Sequence, residues 1–236
     1  MQKMQDELHE QLCKAAERGD VNLCRQLIDA GADVNWSCDN SPLAIHWAAF
    51  YGRVDVMRVL LDAGADINAA TVFEGRPAGK RPLEWALIQK VPLSTIKFML
   101  DAGADPNKSN SRFDWPLLSA VTLEQYDVAK LLVEHGAKSS HLPADSIGTV
   151  RTAFQAAVYH RQEKFIDLFV RSCGEDVDQV TLQGETMYDL CGADTRICNQ
   201  LRALKVEMAV TVTLGLASGY DPDFSTAPIA SRAPAL

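Results

Sequence analysis

Long apolar runs are missing from this chain. Its best candidate, residues 208–217, is about half of the roughly 20 residues that a membrane helix needs. The first ten residues, Met-Gln-Lys-Met-Gln-Asp-Glu-Leu-His-Glu, lack the apolar core of a secretory leader. Cations are the minority: 23 Lys and Arg against 31 Asp and Glu leave a net charge of −8. Nucleic acids and anionic membranes are held by clustered cations, so neither is an expected partner. A protein partner with a basic face suits this charge better. The six cysteines form no Cys-x-x-Cys pair and no tight framework. Cys24 falls on an apolar helical stripe and reads as a buried, reduced thiol, which points to a reducing, cytoplasmic setting.

Catalytic signatures are also absent. There is no Gly-x-Ser-x-Gly, no His-Glu-x-x-His and no dinucleotide fingerprint. Gly75-x-x-x-Gly79-Lys80-Arg81 is one residue short of a phosphate-binding loop and ends in Arg81 where Ser or Thr must hold magnesium. It suits a small basic patch for a carboxylate or phosphate group. The histidines are scattered at 9, 46, 135, 141 and 160, and no convergent acid–base pair is evident. Cys191 and Cys198 flank a short helix and read as buried thiols. No catalytic residue, metal ligand or cofactor is therefore expected.

What the chain has is repetition. Asp29-Ala30-Gly31-Ala32-Asp33-Val34-Asn35 returns nearly unchanged at 62–68 and 101–107, and more weakly at 135–138 and 173–178. Its glycines, at 31, 64, 103, 136 and 174, are spaced by 33, 39, 33 and 38 residues. A period near 33 belongs to a stacked solenoid, an architecture that presents surfaces for macromolecules. Within one unit, Ile45, Ala48 and Ala49 share a face of a short helix that Gly52 ends, and Val56, Met57, Leu60 and Leu61 recur at helical spacing before Gly64. One such pair cannot bury its own apolar faces and needs neighbours on both sides.

This unit resembles the ankyrin repeat. The family pattern is Thr-Pro-Leu-His, Ala-Ala-x-x-Gly, an apolar helix, then Leu-Leu-x-x-Gly-Ala-Asp-Val-Asn. Ile45-His46-Trp47-Ala48-Ala49-Phe50-Tyr51-Gly52 and Leu60-Leu61-Asp62-Ala63-Gly64-Ala65-Asp66-Ile67-Asn68 match it, and Arg81-Pro82-Leu83 and Trp115-Pro116-Leu117 keep its Pro-Leu core. The resemblance covers about residues 10–204. It implies an all-α solenoid of five repeats (units about 10–40, 41–73, 79–112, 113–145 and 150–182). A partial capping repeat, 183–204, and a partly disordered tail, 205–236, would follow. Lys90, Glu124 and Arg161 stand where the inter-helix glycine is expected, so a positive φ there would carry strain. His46 holds the family's histidine position, which implies hydrogen bonds tying adjacent loops.

The resemblance also implies where a partner would sit. The two positions after Ala-Ala face the concave side, and here they are Glu17/Arg18, Phe50/Tyr51, Ile88/Gln89, Thr122/Leu123 and Tyr159/His160. Aromatic and apolar side chains in such a column serve either contact with a partner or packing against the neighbouring repeat. The fingers add Trp36, Phe73 and Phe113 as contacts, and Trp115 as a ring covering its own hairpin. Most surplus residues fall in two enlarged fingers: 69–81, with Arg76, Lys80 and Arg81, and 139–151, with His141 and Asp145. The expected function is non-enzymatic binding of another protein by a monomer, on the concave face and the fingers. Narrower forms are an inhibitor or immunity-type protein, or an effector adaptor delivered into a host cell. A ligand-binding or catalytic role for the inserted fingers is the competing reading.

Overall fold

A computed structural model describes residues 2–36, 41–73, 76–77, 79–108, 115–139, 152–181 and 184–213. Among them the chain forms twelve helices: α1 (Gln2–Arg18), α2 (Val21–Asp29), α3 (Ala44–Phe50), α4 (Val54–Asp62), α5 (Pro82–Ile88), α6 (Leu93–Asp101), α7 (Pro116–Thr122), α8 (Tyr126–Glu134), α9 (Ala153–Tyr159), α10 (Glu163–Cys173), α11 (Met187–Cys191) and α12 (Thr195–Thr213). They pair in sequence order and stack as two layers. The odd-numbered helices make one layer, each packing on the next; in the other, α2 packs on α4, and α6, α8, α10 and α12 follow in series. The all-α solenoid expected from the sequence is the observed architecture.

Local chemistry sets the helix boundaries. Pro82 and Pro116 occupy first-turn positions, where a missing N–H costs nothing. Thr152 and Thr186 cap α9 and α11, each accepting a hydrogen bond from a backbone N–H of the first turn. In four units the third helical residue reaches back to the N-cap N–H, with a different side chain each time. His46 Nδ1 accepts from Leu43, Glu84 from Arg81, Gln155 from Thr152 and Asp189 from Thr186. The turns after α5, α7 and α9 do adopt positive φ at Lys90 (52°), Glu124 (58°) and Arg161 (58°), as the missing glycines implied.

Alanines let the odd-numbered layer pack closely: Ala15, Ala16, Ala48, Ala49, Ala86, Ala120 and Ala157 are all buried. Larger side chains fill the space towards the second layer, with Met57, Leu60, Ile96, Met99, Leu132, Ile166 and Phe169 fully buried.

Side-chain amides tie successive units together. Asn35 donates to the Gly64 carbonyl (2.8 Å) and accepts from the Asp66 N–H (3.1 Å). Asn68 repeats this with Gly103 and Asp105 (2.9 and 2.8 Å), and Asn107 with Gly136 and Lys138 (both 2.8 Å). At the N-terminal end Gln5 plays the same part, donating to Gly31 O (2.9 Å) and accepting from the Asp33 N–H (3.3 Å). Gln5 lies ahead of the unit boundary expected near residue 10, so the first turns of α1 carry this amide.

Two features depart from expectation. Cys191 and Cys198, read as thiols, form a disulfide with Cα atoms 6.4 Å apart. Gly192, at φ 58°, turns the chain between α11 and α12 tightly enough to bring the sulfurs together. The tail was expected from residue 205, and α12 continues into it as far as Thr213. Met208 packs on the core while Val206 and Val210 stay exposed. Residues 214–236 lie outside the described residues.

Candidate functional site

The odd-numbered helices end in register, and their last residues and C-caps form one column. Phe50/Tyr51, Ile88/Gln89, Thr122/Leu123 and Tyr159/His160 each occupy the last helical position and the C-cap of α3, α5, α7 and α9. Tyr51 (41%), Ile88 (45%) and Tyr159 (47%) are well exposed, and Gln89 and His160 are exposed beside them. Phe50 and Leu123 are half-buried. The structure thus divides the column between the two open readings. Phe50 packs sideways onto Trp85 (centroids 5.4 Å apart), whereas Tyr51, Ile88 and Tyr159 face solvent. The His160 ring lies edge-on to Tyr159 at 5.2 Å.

Sequence reading passed over the centre of this surface. Trp47 meets Trp85 edge-on (5.5 Å) and contacts both Phe50 (6.1 Å) and Tyr51 (6.4 Å). Edge-to-face pairs of this kind add stability beyond their buried area. Trp47 follows His46 and Trp85 follows Glu84, the same step of successive units, and that recurrence was the available signal.

Beside this cluster, between α1 and α3, lies a cleft of about 430 Å³ whose lining includes Asp6, His9, Glu10, Lys14, Glu17 and Trp47. Glu17 accepts a hydrogen bond from the Tyr51 hydroxyl (3.1 Å). Lys14 is paired with Glu10 at 2.6 Å. His9 is buried against the Cys13 thiol, its Nε2 3.5 Å from Sγ; burial lowers its pKa, with the Asp6 charge opposing.

His46 performs the loop-tying role implied for it. Its Nδ1 accepts from the Leu43 N–H (3.2 Å), so Nε2 bears the proton and donates to the Ala69 carbonyl (3.0 Å). Burial pushes its pKa down to about 4, against the opposing pull of backbone hydrogen bonds with Ala69, Lys80 and Leu43.

The first enlarged finger is a short antiparallel hairpin. Strand β1 (Val72–Phe73) pairs with β2 (Arg76–Pro77), Val72 opposite Pro77 and Phe73 opposite Arg76. Thr71 and Gly79 close its base, where a Cβ on Gly79 would collide with the Thr71 side chain. Close backbone approach, and not a phosphate cradle, accounts for that glycine. The backbone of the hairpin brings Phe73 opposite Arg76, with Lys80 at its base; the side chains of Phe73 and Arg76 lie outside the described residues. Trp36 is half-buried with its indole N–H on Asp6 (3.0 Å), which seats it against α1. Phe113 and His141, with the finger 140–151, also lie outside the described residues. No helix among the described residues is long and apolar enough to cross a membrane.

A family model described as ankyrin repeats, in three copies, matches residues 4–71, the part of the chain that runs from α1 to the base of the first hairpin.

Proposed function

Because the chain is an ankyrin-repeat protein, we propose that it holds another protein against the ends of its odd-numbered helices, over Tyr51, Ile88, Leu123 and Tyr159. Ankyrin repeats generally mediate protein–protein interaction, and the family is typically non-enzymatic. One observation carries the choice of face. Of the eight large apolar side chains that are well exposed among the described residues, Tyr51, Ile88 and Tyr159 fall in this single column. Grouped exposed apolar surface marks interaction sites, and tyrosine is enriched among the side chains that dominate binding energy. The mechanism is preorganisation. The stacked helices hold these side chains in place, so binding orders little of the chain. Gln89 and His160 are exposed in the same column.

The test replaces Ile88 and Tyr159 with serine together. Both side chains are exposed, so the fold should persist with an unchanged melting midpoint. Once a partner has been captured and purified, its affinity should fall at least tenfold for the double variant. Equal affinity for both forms overturns the assignment of this face.

A further inference from the structure

A second set of ties joins successive units away from the fingers. The side chain at the N-cap of an even-numbered helix donates to the carbonyl of the next-to-last residue in the preceding unit's odd-numbered helix. Arg53, N-cap of α4, donates through Nε to Glu17 O of α1 (3.2 Å). Gln125, N-cap of α8, donates to Leu87 O of α5 (2.9 Å), and Gln162, N-cap of α10, to Val121 O of α7 (3.0 Å). At the last junction Asp194, just before α12, pairs with Arg161 instead. On α6 the N-cap is Pro92, and the carbonyl in register with the other three is that of Ala49. Proline has no side-chain donor and no N–H, so this tie cannot form between the second and third units.

The second layer is interrupted at the same place. Among the described residues α2 packs on α4, and α6, α8, α10 and α12 pack in series, but α4 and α6 do not pack closely on each other. The Arg58 guanidinium spans them, 4.6 Å from the Phe98 ring centroid. On its other side the junction is firm. Trp85 of α5 meets Trp47 and Phe50 of α3 at 5.5 and 5.4 Å, and Asn68 bridges the fingers. A junction held along one edge and open along the other rotates about the held edge.

We propose that the stack has a hinge between its second and third units, with the α3/α5 aromatic contacts as the pivot and the space between α4 and α6 as the side that opens and closes. In an array each interface adds its own term, so freedom at one junction leaves the others stiff. Tyr51 then moves with α1–α4, and Ile88 and Tyr159 move with α5–α12. Each side chain stays ordered within its own block, while the hinge sets the spacing between the two groups. That consequence, unlike the hinge itself, rests on the binding face proposed above.

The test is double electron–electron resonance on the full chain, with spin labels carried on ketone-bearing residues so that the native cysteines are left alone. Asp55, Ser94, Asp127 and Lys164 are exposed and hold the second position of α4, α6, α8 and α10. The pair Asp55/Asp127 spans the junction with Pro92, and Ser94/Lys164 spans two tied junctions; each covers two interhelix spacings, roughly 20 Å. The distance distribution for Asp55/Asp127 should be about 1.5 times as wide as that for Ser94/Lys164. Pro92→Gln, which supplies the side chain that α8 and α10 carry, should narrow the first pair to the width of the second. Gln162→Ala should widen the second pair alone. Equal widths without either substitution, or no narrowing in folded Pro92→Gln, overturn the hinge. The first comparison leaves Pro92 in place, so it decides the question even if Pro92→Gln folds poorly. Failure of the two readings is separable. If Asp55/Asp127 is broad while the partner ignores Ile88→Ser/Tyr159→Ser, the helix-end face is wrong and the hinge stands. If that variant loses the partner and the two widths are equal, the hinge alone falls.

Discussion

The first three junctions of the stack and the last two are held by different chemistry. Asn35, Asn68 and Asn107 each bridge one of the first three junctions, satisfying one carbonyl and one N–H of the next finger, and Gln5 makes the same pair of bonds to the finger of its own first unit. Beyond α8 the pattern changes. Ser139 donates to Glu175, and Asp178, where the earlier units have asparagine, accepts from Lys205 instead. Arg161–Asp194 and Arg171–Glu207 pairs and the Cys191–Cys198 disulfide complete the C-terminal end. An amide carries a donor and an acceptor on one planar group, so a single side chain can satisfy two backbone groups in fixed geometry. A carboxylate can only accept, so Asp178 cannot repeat the bridge and pairs with a cation. Exposed ion pairs of this kind contribute little and are screened by salt. In the fingers, therefore, the two-bond amide bridge is confined to the first three junctions, while across the last two Gln162 and Gln200 each donate one hydrogen bond to a backbone carbonyl, of Val121 (3.0 Å) and Glu163 (2.8 Å), beside the ion pairs.

The sharpest way to break this comparison is acid, because His46 belongs to the first half. The folded state binds its proton only near pH 4, against the usual 6.5. Between those values the unfolded chain is protonated first, so stability is complete above about pH 6.5 and is lost as pH falls towards 4. The loss amounts to roughly 3 kcal/mol at 1.36 kcal/mol per pH unit. Protonation would also turn Nδ1 into a donor facing the Leu43 N–H. Urea unfolding at pH 7 and pH 4.5 should show the decline, and His46→Gln should flatten it. An unchanged slope in that variant would place the acid sensitivity elsewhere. Buried His9, its pKa lowered mainly by desolvation, adds a contribution of the same sign in the same half.

A smaller effect is expected from Asn68→Ala. It removes two hydrogen bonds across one junction and should cost about 1–3 kcal/mol, at about 0.5–1.5 kcal/mol net for each. Lys205→Ala, the C-terminal counterpart, removes an exposed pair with Asp178 and should leave the urea midpoint unchanged within error, in low salt and in high. If the two variants prove equally costly, the distinction between the halves fails.

Residue by residue, legibility followed the range of the interaction. Lys90, Glu124 and Arg161 could be placed at positive φ because the requirement lies within one turn, and repetition marks the turn. His46 could be given its role through resemblance. Gln5 could not, since nothing in the sequence repeats it; only the fold of α1 over the first turn brings it to Gly31. The Phe50 to Tyr159 column was legible as positions but not as exposures. Whether a ring meets solvent depends on its lateral neighbour, and Trp85 covers Phe50 while leaving Tyr51 open.

The sequence alone determined the period, the helix pairs and the amide-bearing turns, because each depends on contacts within about one repeat or on an exact recurrence of it. Tertiary structure alone decided which aromatic side chains face solvent, that Cys191 and Cys198 meet, and that a cleft lies between α1 and α3 beside Trp47. These depend on distances between units, which the spacing of residues along a chain does not encode.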